Sequence, residues 1–369
     1  MRRRKILFVS GALTGGGAEG QLFQLANALS DLGHGVTVAT LSAQKVPGQF
    51  TQHSVCGRMT RSRLLNSLAL GSAALRIALL IRHSRPDVVV TWLAVPTLMG
   101  AAAAAGTRTP RIAALRNAHP ESMRSMPPRI MRWLLQAALS RATMIIANSA
   151  AGIAGYRALG LISHERTVQI GNCIDTKRFH PPSLERRLRA RTHFEIPPNL
   201  NVVAYVGRDA PEKDLKLLVR SLSELPLHVQ RLLVIVVGVS EQRLTELAAS
   251  EGVRLPSSMQ VHARMQNIED VYMATDVLLL TSRHEGSPNV VHEARACGVA
   301  IVSTDCGDVR ETMQAQDRVV RSDPSCLAEA VAAVLKIGLD QRVPPSPMSP
   351  TDCARRWAAA IESILPSEA

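Results

Sequence analysis

Aromatic residues make up only 3% of the 369-residue sequence, and that shortage limits what the chain binds. Proteins that hold single-stranded nucleic acid stack its bases on aromatic rings, so nucleic acid is not an expected partner. With 46% of residues hydrophobic, the core must be built from Ala, Val, Leu and Ile, the composition of buried parallel strands. The six cysteines, Cys56, Cys173, Cys297, Cys306, Cys326 and Cys353, include no Cys-x-x-Cys pair. That argues against zinc ribbons and thioredoxin-type sites and fits a reducing cytoplasm. No apolar run reaches the ~18 residues of a spanning helix; the Ala-rich stretch from Leu93 to Gly106 is short and contains Pro96. The opening Met1-Arg2-Arg3-Arg4-Lys5 before Ile6-Leu7-Phe8-Val9 resembles a secretory leader. Its apolar part is shorter than the ~7 residues of such a leader and ends in a Gly loop, so it reads as a first strand.

Acidic residues are scarce in one half only. Residues 1–180 hold 22 Lys and Arg against 6 Asp and Glu, a net +16, while the remainder holds 21 against 24, a net −3. A field of that sign and size favours an anionic partner, which makes an anionic membrane surface or a phosphate-bearing substrate the expectation. Two segments of this half are both basic and apolar. One runs from Arg58 to Arg85, with Arg58, Arg61, Arg63, Arg76, Arg82 and Arg85. The other runs from Pro128 to Arg141, where Arg129, Arg132 and Gln136 share one helical face and Ile130, Met131, Trp133, Leu134 and Leu135 occupy much of the rest. Such a helix suits a membrane interface, and the same pattern suits an apolar face turned to the core.

The length suits two domains of ordinary size. Lys5 to Val9 reads as a strand, Gly11 to Gly17 as a turn, Ala18 to Leu32 as a helix and Val36 to Thr40 as the next strand. Strands at 87–90, 111–115 and 144–147 continue the alternation. The run Ile170-Gly171-Asn172-Cys173-Ile174-Asp175 up to Pro181-Pro182 marks a boundary, giving domains 1–175 and 176–345. Beyond it strands are expected at 201–207, 232–238, 276–280 and 299–304, with helices from Lys213, over 241–250 and over 289–297. A last helix at 351–365 could pack back on the first domain. Alternating strands and helices imply parallel sheets, hence an α/β chain of two Rossmann-like, doubly wound domains facing a cleft.

Three segments carry chemistry. The turn containing Gly15, Gly16 and Gly17 leads into a helix and offers N–H groups to a phosphate or a sugar oxygen. It imitates a short-chain dehydrogenase loop, but no Tyr-x-x-x-Lys follows, and the strand Val36 to Leu41 lacks an acid for a ribose. After the strand at 201–207, Arg208 and Lys213 flank a strand-to-helix turn. Two cations there would neutralise a diphosphate, or would be a solvated surface pair. The third segment runs from Ser282 to Gly298 and places Glu285 in a loop and Glu293 one turn inside a helix. Carboxylates at these places accept hydrogen bonds from sugar hydroxyls, and the N–H groups near Asn289 and Val290 point at phosphates.

The spacing of Glu285 and Glu293 resembles the E-x7-E signature of retaining glycosyltransferases of family 4, which have the two-domain GT-B architecture. Gly15-Gly16-Gly17-Ala18-Glu19, Ala147-Asn148-Ser149, Asn172-Cys173-Ile174-Asp175, the pair Arg208 and Lys213, and Cys297-Gly298 before Asp305-Cys306-Gly307 all fall in family order. The resemblance implies a nucleotide-diphosphate sugar as co-substrate, its diphosphate on Arg208 and Lys213, its ribose on Glu293 and the transferred sugar on Glu285. Gly286, Ser287, Pro288, Asn289 and Val290 would complete the donor site, and His119 stands where the family often places a His facing the donor sugar. Transfer would proceed by front-face attack, with the donor phosphate as base and no assigned nucleophile. The acceptor implied is a lipid-linked or envelope saccharide. A sugar-nucleotide epimerase of the same architecture is the alternative, against which the E-x7-E arrangement argues, and a non-catalytic nucleic-acid-binding protein is a third, suggested only by the charge and opposed by the few aromatic residues. No Asp-x-Asp or His-Glu-x-x-His occurs, so neither a metal nor another cofactor is expected. Cys173 stands where the family usually has Gly; if that position needs positive φ, Cys costs ~1 kcal/mol or more.

Overall fold

The computed structural model describes residues 2–43, 45–56, 63–117, 128–163, 166–337 and 346–366. The chain divides into two compact units, residues 1–173 with 348–369, and residues 174–347. The first break falls two residues before the boundary read from the sequence.

In the first unit the strands are β1 (Lys5–Ser10), β2 (Gly35–Thr40), β3 (Thr51–Ser54), β4 (Val88–Trp92), β5 (Arg111–Leu115), β6 (Met144–Ala147) and β7 (Thr167–Gln169). They form one parallel sheet in the order β3-β2-β1-β4-β5-β6-β7. Both faces are buried because the strands are aliphatic at consecutive positions. Ile6, Phe8, Val88 and Val90 face α1 (Gly17–Asp31) and the C-terminal helix, which carries Trp357. Leu7, Val9 and Val89 face α2 (Arg63–Ser84) and α3 (Ala94–Ala103). Ala113, Leu115 and Ile145 pack on α4 (Pro128–Ser140) and α5 (Ala150–Ala158). Trp92 at the end of β4 joins the layers: its ring lies 5.8 Å from Trp357, and its Nε1 donates to Ala18 O at 2.8 Å.

The second unit has α6 (Leu184–His193), β8 (Asn201–Val206), a 3-10 turn (Pro211–Lys213), α7 (Leu215–His228), β9 (Leu232–Val237), α8 (Glu241–Glu251) and β10 (Met259–His262). It continues with α9 (Ile268–Ala274), β11 (Val277–Leu280), α10 (Asn289–Ala296), β12 (Ala300–Thr304), β13 (Arg318–Val320) and α11 (Pro324–Leu335). The last helix, α12 (Pro350–Glu362), returns to the first unit, where it packs on α1. The second sheet is also parallel, in the order β10-β9-β8-β11-β12-β13. Val203, Val234, Val277 and Val302 face α7, α8 and α11, while Val202, Ile235, Leu278 and Ile301 face α6, α9 and α10. Strand order reverses between β8 and β11, and in open sheets of this kind ligands bind outside the carboxyl ends of the strands at that reversal. The loops leaving β8 and β11 are those that carry Lys213 and Glu285.

Cys173 does not need the left-handed backbone. Among the described residues, those other than glycine with positive φ are Arg85, Leu93, Glu195, Asp214 and Arg231, so the expected strain at Cys173 does not arise. Its backbone is held instead by one side chain: its N–H donates to Gln21 Oε1 at 2.9 Å, and its carbonyl accepts from Gln21 Nε2 at 2.8 Å.

Candidate functional site

In the second unit, three loops at the carboxyl ends of β8, β11 and β12 are strapped together by backbone. Thr281 Oγ1 donates to Lys213 O at 3.0 Å and the Arg283 N–H to Glu212 O at 2.8 Å. Thr304 Oγ1 donates to Ser282 O at 2.6 Å. Gly307 completes the stack at φ 57°, where a Cβ would lie 2.8 Å from the Gly286 carbonyl oxygen and 3.0 Å from Glu285 Cβ. A side chain at 307 would therefore push the Glu285 loop away.

Lys213 ends the 3-10 turn, and Asp214 then takes a left-handed conformation and caps α7 by accepting from the Leu217 N–H at 3.3 Å. The chain reversal turns the Lys213 ammonium onto Glu285, with Nζ 2.5 Å from Oε1, both side chains about 15% exposed. Arg283 pairs with Asp214 at 2.6 Å, on the outer side of the same turn. Arg208 behaves differently: its guanidinium is 66% exposed and pairs with Glu212 at 2.7 Å. The structure thus joins Lys213 to Glu285, whereas the partner it gives Arg208 is a surface carboxylate.

Glu293 lies one turn into α10, where Tyr272 donates a hydrogen bond to its Oε2 at 3.0 Å. Burial raises the Glu293 carboxyl above its ordinary range; the Tyr272 hydrogen bond, Arg178 and His292 act against that shift. Arg178 donates from Nε to Glu269 at 2.8 Å and from Nη2 to Gln266 O at 2.8 Å. Tyr272, Arg178 and Glu269 are residues the sequence reading missed. Tyr272 and Glu269 belong to α9, a seven-residue helix too short to show periodicity.

Ahead of α10 the chain runs Gly286-Ser287-Pro288, with Pro288 at the N-cap, whose ring offers no capping oxygen. The first turn N–H groups, at Asn289 and Val290, precede the intrahelical bonds that begin with Val291 to Pro288 O. Ser287 is buried, and its hydroxyl touches Asp308 Oδ2 at 2.5 Å and His292 Nε2 at 2.6 Å.

In the first unit, the Gly-rich turn leads into α1 as expected, with Gly15 at φ 105° and Gly16 at the N-cap. His119 lies outside the described residues, as do Arg58 and Arg61. Arg116, at the end of β5, is buried over the Trp92 ring at 4.7 Å and donates to Asn172 Oδ1 at 2.5 Å. Desolvation lowers it to about 10. Helix α4 divides its apolar residues between two faces. Met131, Leu135 and Leu139 are core, while Ile130 and Trp133, 52% and 67% exposed, lie outward beside exposed Arg129 and Arg132. On α2, Leu75 and Leu79 are also exposed, next to Arg76. Among the described residues no helix is long and apolar enough to cross a membrane.

The chain is similar to known proteins over most of its length. Residues 187–345 match the family model described as glycosyl transferases group 1, and residues 15–178 match that of glycosyltransferase family 4. A D-inositol 3-phosphate glycosyltransferase of Corynebacterium jeikeium is 28% identical over 203 residues, 52% of this chain and 48% of that protein. The chain therefore spans about half the length of the curated relatives it matches. HepE of Anabaena, crystallised with UDP and glucose, superposes with a TM-score of 0.76 at 19% identity, covering 98% of this chain and 100% of that one. WaaG, a glycosyltransferase involved in lipopolysaccharide biosynthesis, superposes at 0.70 with 19% identity, covering 96% and 95%. These likenesses establish a shared fold, and the two family models together leave only residues 1–14, 179–186 and 346–369 unmatched. The chain belongs to glycosyltransferase family 4.

Proposed function

We propose that the chain is a metal-independent, retaining glycosyltransferase that moves a sugar from a nucleotide-diphosphate donor, UDP before GDP, to a lipid-linked or envelope saccharide. The observation that carries the reading is the pairing of Lys213 with Glu285 at the strand reversal, next to a loop that opens a helix and leads to Glu293. The two side chains neutralise each other. Donor diphosphate would draw the ammonium to itself and free Glu285 for the hydroxyls of the transferred sugar. Glu293, with Tyr272 holding one oxygen, would take the ribose. Catalysis then consists of positioning and of stabilising the charge on the departing diphosphate, with the donor phosphate accepting the proton of the acceptor hydroxyl. Arg208 would turn from Glu212 to the same phosphates. UDP and glucose bound to HepE support a UDP-sugar donor here.

The acceptor side is the first unit, whose positive charge and outward Ile130, Trp133, Leu75 and Leu79 suit the inner face of a cytoplasmic membrane. The test is a panel of UDP- and GDP-sugars with and without membrane lipid extract. Transfer of radiolabel to lipid, with release of nucleoside diphosphate, is the expected result. Conversion of the donor to an epimer without acceptor would replace this reading with the epimerase one.

A further inference from the structure

Beside the loop from Glu285 to Glu293 lies a three-residue side-chain cluster, Ser287, His292 and Asp308, and donor binding assigns no role to His292 or Asp308. Ser287 Oγ is 2.5 Å from Asp308 Oδ2 and 2.6 Å from His292 Nε2, and His292 Nε2 is 3.5 Å from Asp308. The proton count orders these contacts. An ionised carboxylate only accepts, so the single Ser287 hydrogen goes to Asp308, and His292 must donate from Nε2 to the Ser287 oxygen. The imidazole tautomer is thereby fixed. Asp308 is 5% exposed, and its Oδ1 is buried with no hydrogen-bond partner among the described residues. A buried carboxylate that leaves an oxygen unsatisfied is costly. Its neighbour Gly307 has no side chain, and a Cβ there would lie 2.8 Å from the Gly286 carbonyl oxygen. The loop after β12 thus packs closely on the 286–290 turn and is bonded to it through Asp308 and Ser287.

We propose that Asp308, Ser287 and His292 form a latch that sets the turn from Gly286 to Val290 in the conformation that receives a donor diphosphate. They are positioning residues, acting through the N–H groups of the turn. Asp308 anchors the latch on the loop after β12, Ser287 carries the contact, and His292 closes it from one turn inside α10. The proposal rests on reading this loop as the phosphate site, and its test separates the two.

The experiment compares wild type with Ser287→Ala, His292→Leu and His292→Gln, using UDP titration calorimetry and amide hydrogen exchange of the nucleotide-free protein. Ser287→Ala and His292→Leu should each weaken UDP binding about tenfold, the size of one lost hydrogen bond to a charged or polarised group. Both should speed exchange at Gly286, Ser287 or its replacement, Asn289 and Val290 while amides of β8 and β9 are unchanged. Glutamine keeps an N–H donor, so His292→Gln should restore slow exchange and most of the affinity; a role in packing alone would not distinguish glutamine from leucine. Wild-type exchange at these amides in Ser287→Ala, or equal effects of glutamine and leucine, overturns the latch. If wild type itself does not bind UDP, the donor reading falls, and the exchange data still decide whether the latch exists.

Discussion

Glu293→Gln should push stability and nucleotide affinity in opposite directions. The carboxyl is raised above its ordinary value of 4.5, chiefly by burial. The folded state therefore holds the proton more tightly than the unfolded one. Stability attached to this group is complete below pH 4.5 and is lost as pH rises toward the folded-state value. Glutamine keeps an oxygen for the Tyr272 hydroxyl, 3.0 Å away, and has nothing to ionise. The variant should match wild type at pH 4 and exceed it at pH 7. The gain should appear as a higher Tm at pH 7 and no difference at pH 4, its direction set by the burial of the carboxyl. UDP binding should move the other way, because a neutral amide replaces a charged acceptor for the ribose hydroxyls. The loss is ~1.5–3 kcal/mol, or about ten- to hundredfold in Kd. Differential scanning fluorimetry at pH 4 and pH 7, with and without UDP, reads both effects on one sample. A variant that is stabilised at pH 7 yet binds UDP as wild type does would remove Glu293 from the site.

Three further outcomes follow from the same geometry. Lys213→Ala should abolish transfer and cost about 1–3 kcal/mol of stability, since it leaves the Glu285 carboxylate shielded and unpaired; adding Glu285→Gln should recover the stability in urea melts without recovering activity. Arg208→Ala, on the surface, should lower kcat with no change in Tm, and EDTA should leave wild-type turnover intact; inhibition by EDTA would point to a bound metal. Arg129→Glu with Arg132→Glu should reduce sedimentation with anionic liposomes, where each basic residue contributes ~1 kcal/mol, and leave UDP binding unchanged; equal recovery on neutral and anionic vesicles would refute the membrane reading.

The strands that could be read from the sequence are the interior ones. Leu232–Val237, Arg111–Leu115 and Ala300–Thr304 are covered on both faces, so burial demands an unbroken aliphatic run. The four strands that went unread, β3, β7, β10 and β13, are the four sheet edges. An edge strand is short and half solvated, so sequences such as Thr51-Gln52-His53-Ser54 carry neither a run nor an alternation. Helix α6 was hidden for a related reason. Its buried side includes Arg191, which is neutralised by Asp276 at 2.8 Å together with Arg187 at 2.6 Å, and that pairing cannot be seen without the fold.

At the site the same division applies between what is local and what is not. Lys213, Glu285 and Glu293 announce themselves because each sits at a fixed step from a strand end or a helix start, and those steps are written in consecutive residues. What brings them to their partners comes from elsewhere in the chain. Tyr272 reaches Glu293 across 21 positions, Asp308 reaches Ser287 across 21, and Lys213 reaches Glu285 across 72. Parallel strands make these meetings systematic. Every right-handed crossover returns the chain to the same end of the sheet, so the loops after β8, β11 and β12 gather there although other elements intervene. A motif in such a fold is one loop of a set, and its chemistry is fixed by the loops beside it. Cys173 shows the converse: read alone it looked like a strained substitute for glycine, whereas Gln21, 152 positions away, holds its N–H and its carbonyl in an ordinary backbone conformation.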